Sequence, residues 1–203
     1  QPNRARYQLV LDMSRKEVVD YLYNQISDVL EKASVDYVKW DMNRSVCDFY
    51  SSKLPAERMG EIPHRFVLGV YDLAERLLKR FPQLLLEGCS GGGGRFDAGM
   101  LYYAPQIWCS DNTDAVNRLD IQYGTSFFYP TSTMGAHVSA VPNHQTGRIT
   151  PFATRGNVAM AGTFGYELDL NLVTDEEKAM VKEQLAQFDR FYDLTHEGDY
   201  YRL

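Results

Sequence analysis

The chain has 203 residues, of which 44% are apolar, 13% aromatic and 24% charged, with a formal net charge of −6. That composition builds a sizeable core and makes one domain the expectation. The acidic balance, with no Lys/Arg cluster, excludes nucleic acid and anionic membrane as partners and favours a small or neutral ligand.

No run approaches the roughly 18 apolar residues of a membrane span, and the opening "QPNRARYQLV" has no signal-peptide pattern. Cys47, Cys89 and Cys109 fit neither a zinc spacing nor a disulfide framework, which points to a reducing compartment. The first predicted strand is "RYQLVLDMS". Ser14 and Glu17 then stand in capping-box spacing before a helix with Val18, Val19, Leu22, Ile26, Val29 and Leu30 on one face. "SVDYVKWD" is the second strand. A helix from about Pro63 follows, with a stripe of Phe66, Val67, Val70, Leu73, Ala74, Leu77 and Leu78, stopped by Pro82. "QLLLEGCS" and "APQIWCSDN" read as buried strands, with a helix from Asp114 to Gln122 after the latter. "SFFYPTS" and "GNVAMAGTF" are weaker strand candidates. Thr174 and Glu177 form a second capping box, opening a last helix with Ala179, Met180, Leu185, Phe188 and Phe191 inward.

Apolar strands alternating with amphipathic helices imply a parallel sheet covered by helices, either an open doubly wound sheet or a (β/α)8 barrel. Polar residues and glycines crowd the predicted strand ends: Asp12; Asp41 and Asn43; Glu87, Cys89 and Gly91 to Gly94; Ser110 and Asp111; Thr131 and Ser132. In a barrel all such ends converge on one mouth, which makes the barrel the preferred reading. Within "YVKWDMNRS", strand alternation puts Lys39 and Asp41 on one face and Trp40 on the other. A lysine there favours an ionised Asp41. Asp41 and Asp111 form a candidate carboxylate pair for glycosidic cleavage, although an aspartate at a strand end is as readily a helix cap. Asp114 and Asn112 are the better caps for the helix that follows, which frees Asp111. The glycine run lacks the spacing of a phosphate loop and suits close backbone approach. His137 and His144 read as loop residues without metal-ligand spacing.

Taken together, "VKWDMNRS", "LLEGCSGGGGRFDAGM", "IWCSDNTDA", "TMGAHVS" and "GTFGYELD" resemble glycoside hydrolase family 36, the bacterial and fungal α-galactosidases. The resemblance implies Asp41 as catalytic nucleophile and Asp111 as general acid/base. It implies sugar contacts from Lys39, Asn43, Cys89, Gly92 and Arg6, with Trp40 of the same motif in the substrate-binding set. The activity implied is retaining hydrolysis of terminal α-galactosyl groups, as in melibiose and raffinose, without metal or organic cofactor. A related α-N-acetylgalactosaminidase, a galactosyl transferase, or non-catalytic carbohydrate binding are the alternatives. A bacterial, cytoplasmic homo-oligomer, a tetramer in the family, is the expected setting.

The family places its nucleophile on the fourth barrel strand and its acid/base on the sixth. Residues 1–203 are therefore expected to be a partial catalytic domain running from the third to the eighth strand. The first two strands and the flanking N- and C-terminal β-domains are expected outside it, and the piece alone is expected to be inactive.

Overall fold

The computed structural model describes residues 4, 7–47 and 50–201. It is an α/β structure with parallel strands. The chain divides into two compact units, Gln1–Gly91 with Arg95–Pro105 and Gly92–Gly94 with Gln106–Leu203.

The first unit holds α1 (Lys16–Ala33), β1 (Tyr37–Asp41), α2 (Ile62–Arg80), β2 (Leu85–Cys89) and α3 (Ala98–Tyr103). β1 and β2 pair in parallel, with Lys39 opposite Glu87 and Asp41 opposite Cys89. Parallel neighbours need a crossover, and α2 supplies it. Its buried positions are Ile62, Phe66, Val70, Leu73, Ala74 and Leu77, a helical stripe that meets Leu84, Leu86 and Leu30 in one core. Val67 of the predicted stripe is exposed. The helix ends at Arg80, since Pro82 carries no N–H to continue it.

Three further expectations for this unit fail. No strand forms in residues 7–14, and Leu9 and Leu11 are half exposed; β-propensity without a neighbouring ladder does not make a strand. The Ser14/Glu17 capping box is also missing. The Ser14 N–H (3.1 Å) and hydroxyl both donate to Asp12 Oδ1, so Asp12 closes a local turn and α1 starts behind Arg15 with no side-chain cap. Val29, predicted inward on α1, is 61% exposed.

The second unit holds β3 (Gln106–Ile107), α4 (Ala115–Thr125), β4 (Gly135–Ser139), α5 (Phe152–Ala159), β5 (Thr163–Glu167) and α6 (Asp175–His196). β4 and β5 pair in parallel around α5, burying Ala136, Val138, Phe152, Ala159 and Val173. The predicted strand at 126–132 is a turn with exposed Phe127 and Phe128. Pro130 offers no ladder donor, and the real strand begins at Gly135, so Thr131 and Ser132 precede a strand instead of ending one. The first four residues of "GNVAMAGTF" end α5, because Phe152, Arg155, Gly156 and Ala159 are buried at helical spacing, a turn follows, and only its last two residues enter β5. "APQIWCSDN" contributes just two strand residues before turning out.

The Thr174/Glu177 capping box forms in both directions and opens α6. Phe188 and Phe191 are partly buried as expected, but Ala179, Met180 and Leu185 are exposed. The inward row is Val181, Gln184, Phe188 and Phe191. Gln184 lies over Gly156 of α5, where a Cβ would come within 2.1 Å of its amide, donates to the Phe152 carbonyl (3.4 Å) and accepts from the Tyr166 hydroxyl (2.7 Å).

Leu73→Ala, at a fully buried site, is expected to cost about 2–5 kcal/mol of the stability of the unit that contains it. Thr174→Ala is expected to cost about 0.5–2 kcal/mol through loss of the cap. Urea unfolding monitored by circular dichroism checks both, and a larger loss from the cap than from the core would contradict this account.

Candidate active site

β1 sorts its side chains by alternation. Val38, Trp40 and Met42 pack against the apolar core beneath α1 and α2, and Lys39 and Asp41 take the other face. Trp40 is partly buried against that core. It still borders, with Asp41, Asn43, Arg44, Arg95 and Phe66, an open cavity of about 410 Å³ in this unit.

The structure brings Lys39, Asp41, Asn43 and Cys89 together in the first unit. Asp41 and Cys89 are lateral partners on the ladder, and Cys89 is buried. The Asn43 amide bridges two segments: Nδ2 donates to Asp41 Oδ2, and Oδ1 accepts from the Gly91 N–H at 2.8 Å. Lys39 also has a partner that its own strand did not suggest. It forms an ion pair with Glu87, its directly opposite residue on the ladder, Nζ to Oε1 at 3.7 Å. Arg6 lies outside the described residues.

Two residues without an expected role tie the loops together. The Ser90 hydroxyl donates to the Met42 carbonyl, and Arg95 donates through Nε to Ser90 Oγ (3.0 Å) and through Nη2 to the Arg44 carbonyl (2.5 Å). Burial lowers the pKa of Arg95 from its usual value. The signal was present, an arginine directly behind a glycine run, but a loop arginine reads as solvated until its carbonyl partners are seen.

Gly92 and Asp111 belong to the second unit. Gly92 has φ +83, and a Cβ there would stand 2.8 Å from Ser110 Cα; the Gly93 N–H donates to the Cys109 carbonyl at 3.2 Å. The close approach this glycine permits is thus to the main chain beside Asp111. Asp111 lies past β3 in an irregular segment and is exposed. Around it, the Asn112 N–H donates to Ser110 Oγ (3.1 Å) and the Asp114 N–H to Asn112 Oδ1 (3.0 Å). Asp114 is the N-cap of α4, accepting from the Asn117 N–H at 3.2 Å, as its spacing predicted, and it also accepts from Arg148.

Arg118 is the unforeseen support. It is buried, lies over the Trp108 ring, and donates to the carbonyls of Ser110 (3.2 Å) and Gly135 (2.5 Å) and to Gln122 Oε1 (3.0 Å). His137, read as a loop residue, lies in β4 with its ring stacked on Trp108 at 4.9 Å and Nδ1 3.4 Å from Glu167. His144 stands in an exposed turn. Among the described residues no cluster of His, Cys, Asp or Glu is placed to hold a metal ion, and no helix is long and apolar enough to cross a membrane.

Comparison with known proteins places this arrangement. A family model described as Melibiase matches residues 1–198. The bifunctional α-galactosidase/sucrose kinase AgaSK of Mediterraneibacter gnavus is 63% identical over 202 residues, covering 100% of this chain and 21% of its own. α-Galactosidase AgaA of Geobacillus stearothermophilus is 57% identical over 206 residues, covering 100% of this chain and 28% of its own. The chain thus spans about a quarter of the length of these relatives. A crystal structure of an aspartate-substituted AgaA variant in complex with raffinose superposes with TM-score 0.97 at 56% identity, over 100% of this chain and 28% of that one. The galactosidase domain of AgaSK gives 0.93 at 63%, over 100% and 27%.

Gly92→Ala is expected to destabilise the second unit by about 1–3 kcal/mol, since the left-handed backbone and the Ser110 contact act in the same direction. The exposed Gly124, whose Cβ would meet nothing within 4 Å, is the control. Equal stability of the two alanine variants in urea would remove the constraint assigned to Gly92.

Proposed function

The chain belongs to the Melibiase family, and from that membership we propose that it carries the paired-carboxylate centre of a retaining α-galactosidase. The observation that carries the reading is the ladder that puts Asp41 beside Cys89 and ties it through Asn43 to the Gly91 backbone. One further fact supports it. AgaA variants were crystallised with raffinose and with stachyose, each with an aspartate replaced, and those two aspartates stand the same number of residues apart as Asp41 and Asp111.

In this reading Asp41 attacks the anomeric carbon, and the glycosidic C–O bond breaks as Asp111 gives its proton to the leaving oxygen. A galactosyl ester on Asp41 results. Asp111, now ionised, takes a proton from water, whose oxygen attacks the same carbon and releases both galactose and the Asp41 carboxylate. Asn43 orients Asp41, while Lys39, Cys89 and the Gly92 backbone grip the sugar. No metal or organic cofactor takes part. The substrates proposed are α-galactosyl oligosaccharides of the raffinose type.

The fold belongs to the same proposal. We assign β1 to β5 to the fourth through eighth positions of a (β/α)8 barrel, with residues 7–14 in the place of the third, which the βαβ connections and the superposition on α-galactosidases support. The 203 residues are then part of one catalytic domain. A reducing, cytoplasmic setting suits three thiols of which none is in a disulfide.

In the complete protein, Asp41→Ala is expected to lower kcat on p-nitrophenyl α-galactoside by about three orders of magnitude or more, with folding intact. Asp111→Ala is expected to slow raffinose far more than the nitrophenyl substrate, whose leaving group needs little protonation. A crystal structure of the complete protein is expected to place the two carboxyl groups roughly 5 to 5.5 Å apart. Proton NMR following the anomer first released decides the stereochemistry: β-galactose appearing first would overturn the retaining mechanism.

A further inference from the structure

The mechanism above leaves one buried carboxylate unused. Glu87 stands in the middle of β2 with its side chain 3% exposed, one rung below the Asp41–Cys89 pair and on the same sheet face. A charge so placed needs partners, and two come from β1. The Tyr37 hydroxyl donates to Oε2, and the Lys39 ammonium lies 3.7 Å from Oε1. Burial first, and the bond to Glu87 second, raise the pKa of the Tyr37 phenol well above its usual value, so it remains a donor. Lys39 keeps 35% of its side chain exposed and is therefore reachable by a ligand while it is paired.

We infer that Glu87 is a positioning residue for the sugar site: it fixes the ammonium of Lys39 beneath Asp41, so that one hydroxyl of an α-galactoside meets a donor already in place. The inference rests on the α-galactosidase reading above and deepens it. A lysine ends in a compact charge on a flexible stem, with no planar fork to orient it. A cross-strand carboxylate at fixed register holds that stem. Tyr37 in turn holds the carboxylate, giving a Tyr37–Glu87–Lys39 chain that ends at the substrate. Packing alone does not call for it, since an apolar pair of similar volume on this ladder would stabilise the sheet as well or better.

A double-mutant cycle in the complete protein tests this, with kcat and KM measured on p-nitrophenyl α-galactoside and unfolding followed in parallel. Glu87→Gln, an isosteric change, is expected to reduce kcat/KM by about tenfold or more, and in a Lys39→Met background to reduce it little further. Losses that simply multiply, or a Glu87→Gln enzyme with unchanged kcat/KM, would show a merely structural carboxylate and overturn the inference. Should Glu87→Gln not fold, the half-exposed Tyr37→Phe runs through the same cycle: coupling to Lys39→Met upholds the chain, and independence overturns it. The two levels of reading separate cleanly. Full activity in Asp41→Ala would sink the α-galactosidase mechanism and the inference with it, whereas an inactive Asp41→Ala with an uncoupled Glu87 would sink the inference alone.

Discussion

The lateral register of β1 on β2 is the constraint on which the first unit depends. Lys39 faces Glu87 and Asp41 faces Cys89. Because side chains alternate with period two, a slip of one residue would turn Lys39 and Asp41 into the apolar core and bring Trp40 out. The register is held at both ends. At the apolar side, Val38 and Trp40 pack on one face beneath the helices. At the polar side, the Met42 N–H donates to the Cys89 carbonyl at 2.9 Å, carrying the ladder one step past the strand, and Asn43, Ser90 and Arg95 stitch the following loops.

The second unit solves a similar problem with a cation in place of a ladder. Arg118 reaches from α4 to two carbonyls, one beside Asp111 and one at the start of β4, with Trp108 beneath it. Burial lowers its pKa, although arginine remains charged under any ordinary condition. Its planar fork of five donors spreads over acceptors held apart on two elements, which the compact tip of an ammonium does not span. The loop bearing Asp111 is thus short of regular structure without being short of hydrogen bonds.

The parts of this architecture legible in the sequence are those where local chemistry and tertiary demand agree. α2 follows its stripe from Phe66 to Leu77, Asp114 caps α4 and Thr174 caps α6 as their spacing requires. Strand β1 and the facing of Lys39 and Asp41 came from alternation alone. The misses occur where a neighbour decides. Leu9 and Leu11 are strand-prone but have no ladder, and "GNVAMAGTF" looks extended until Phe152 upstream completes a helical face. Lys39 was read beside Asp41 from position in one strand, and its ion pair with Glu87 across the sheet is a relation that no single segment can express. Arg95 and Arg118 act through backbone carbonyls, which carry no sequence signature. The identities of Asp41 and Asp111 were legible only through motif resemblance, since aspartates at strand ends have blander uses.

Gln184 has a consequence for how α6 behaves as a lever. Much of that helix is exposed, and contacts such as Val181 or Phe188 against an apolar surface lose little when a helix slides or rolls by a few degrees. A carboxamide bonded at both ends, to the Phe152 carbonyl and the Tyr166 hydroxyl, is directional and tolerates far less displacement. Seated over Gly156 with no room for a Cβ below it, it acts as a detent: α6 has one preferred rotational setting about its own axis, and an applied torque meets resistance at a single tooth.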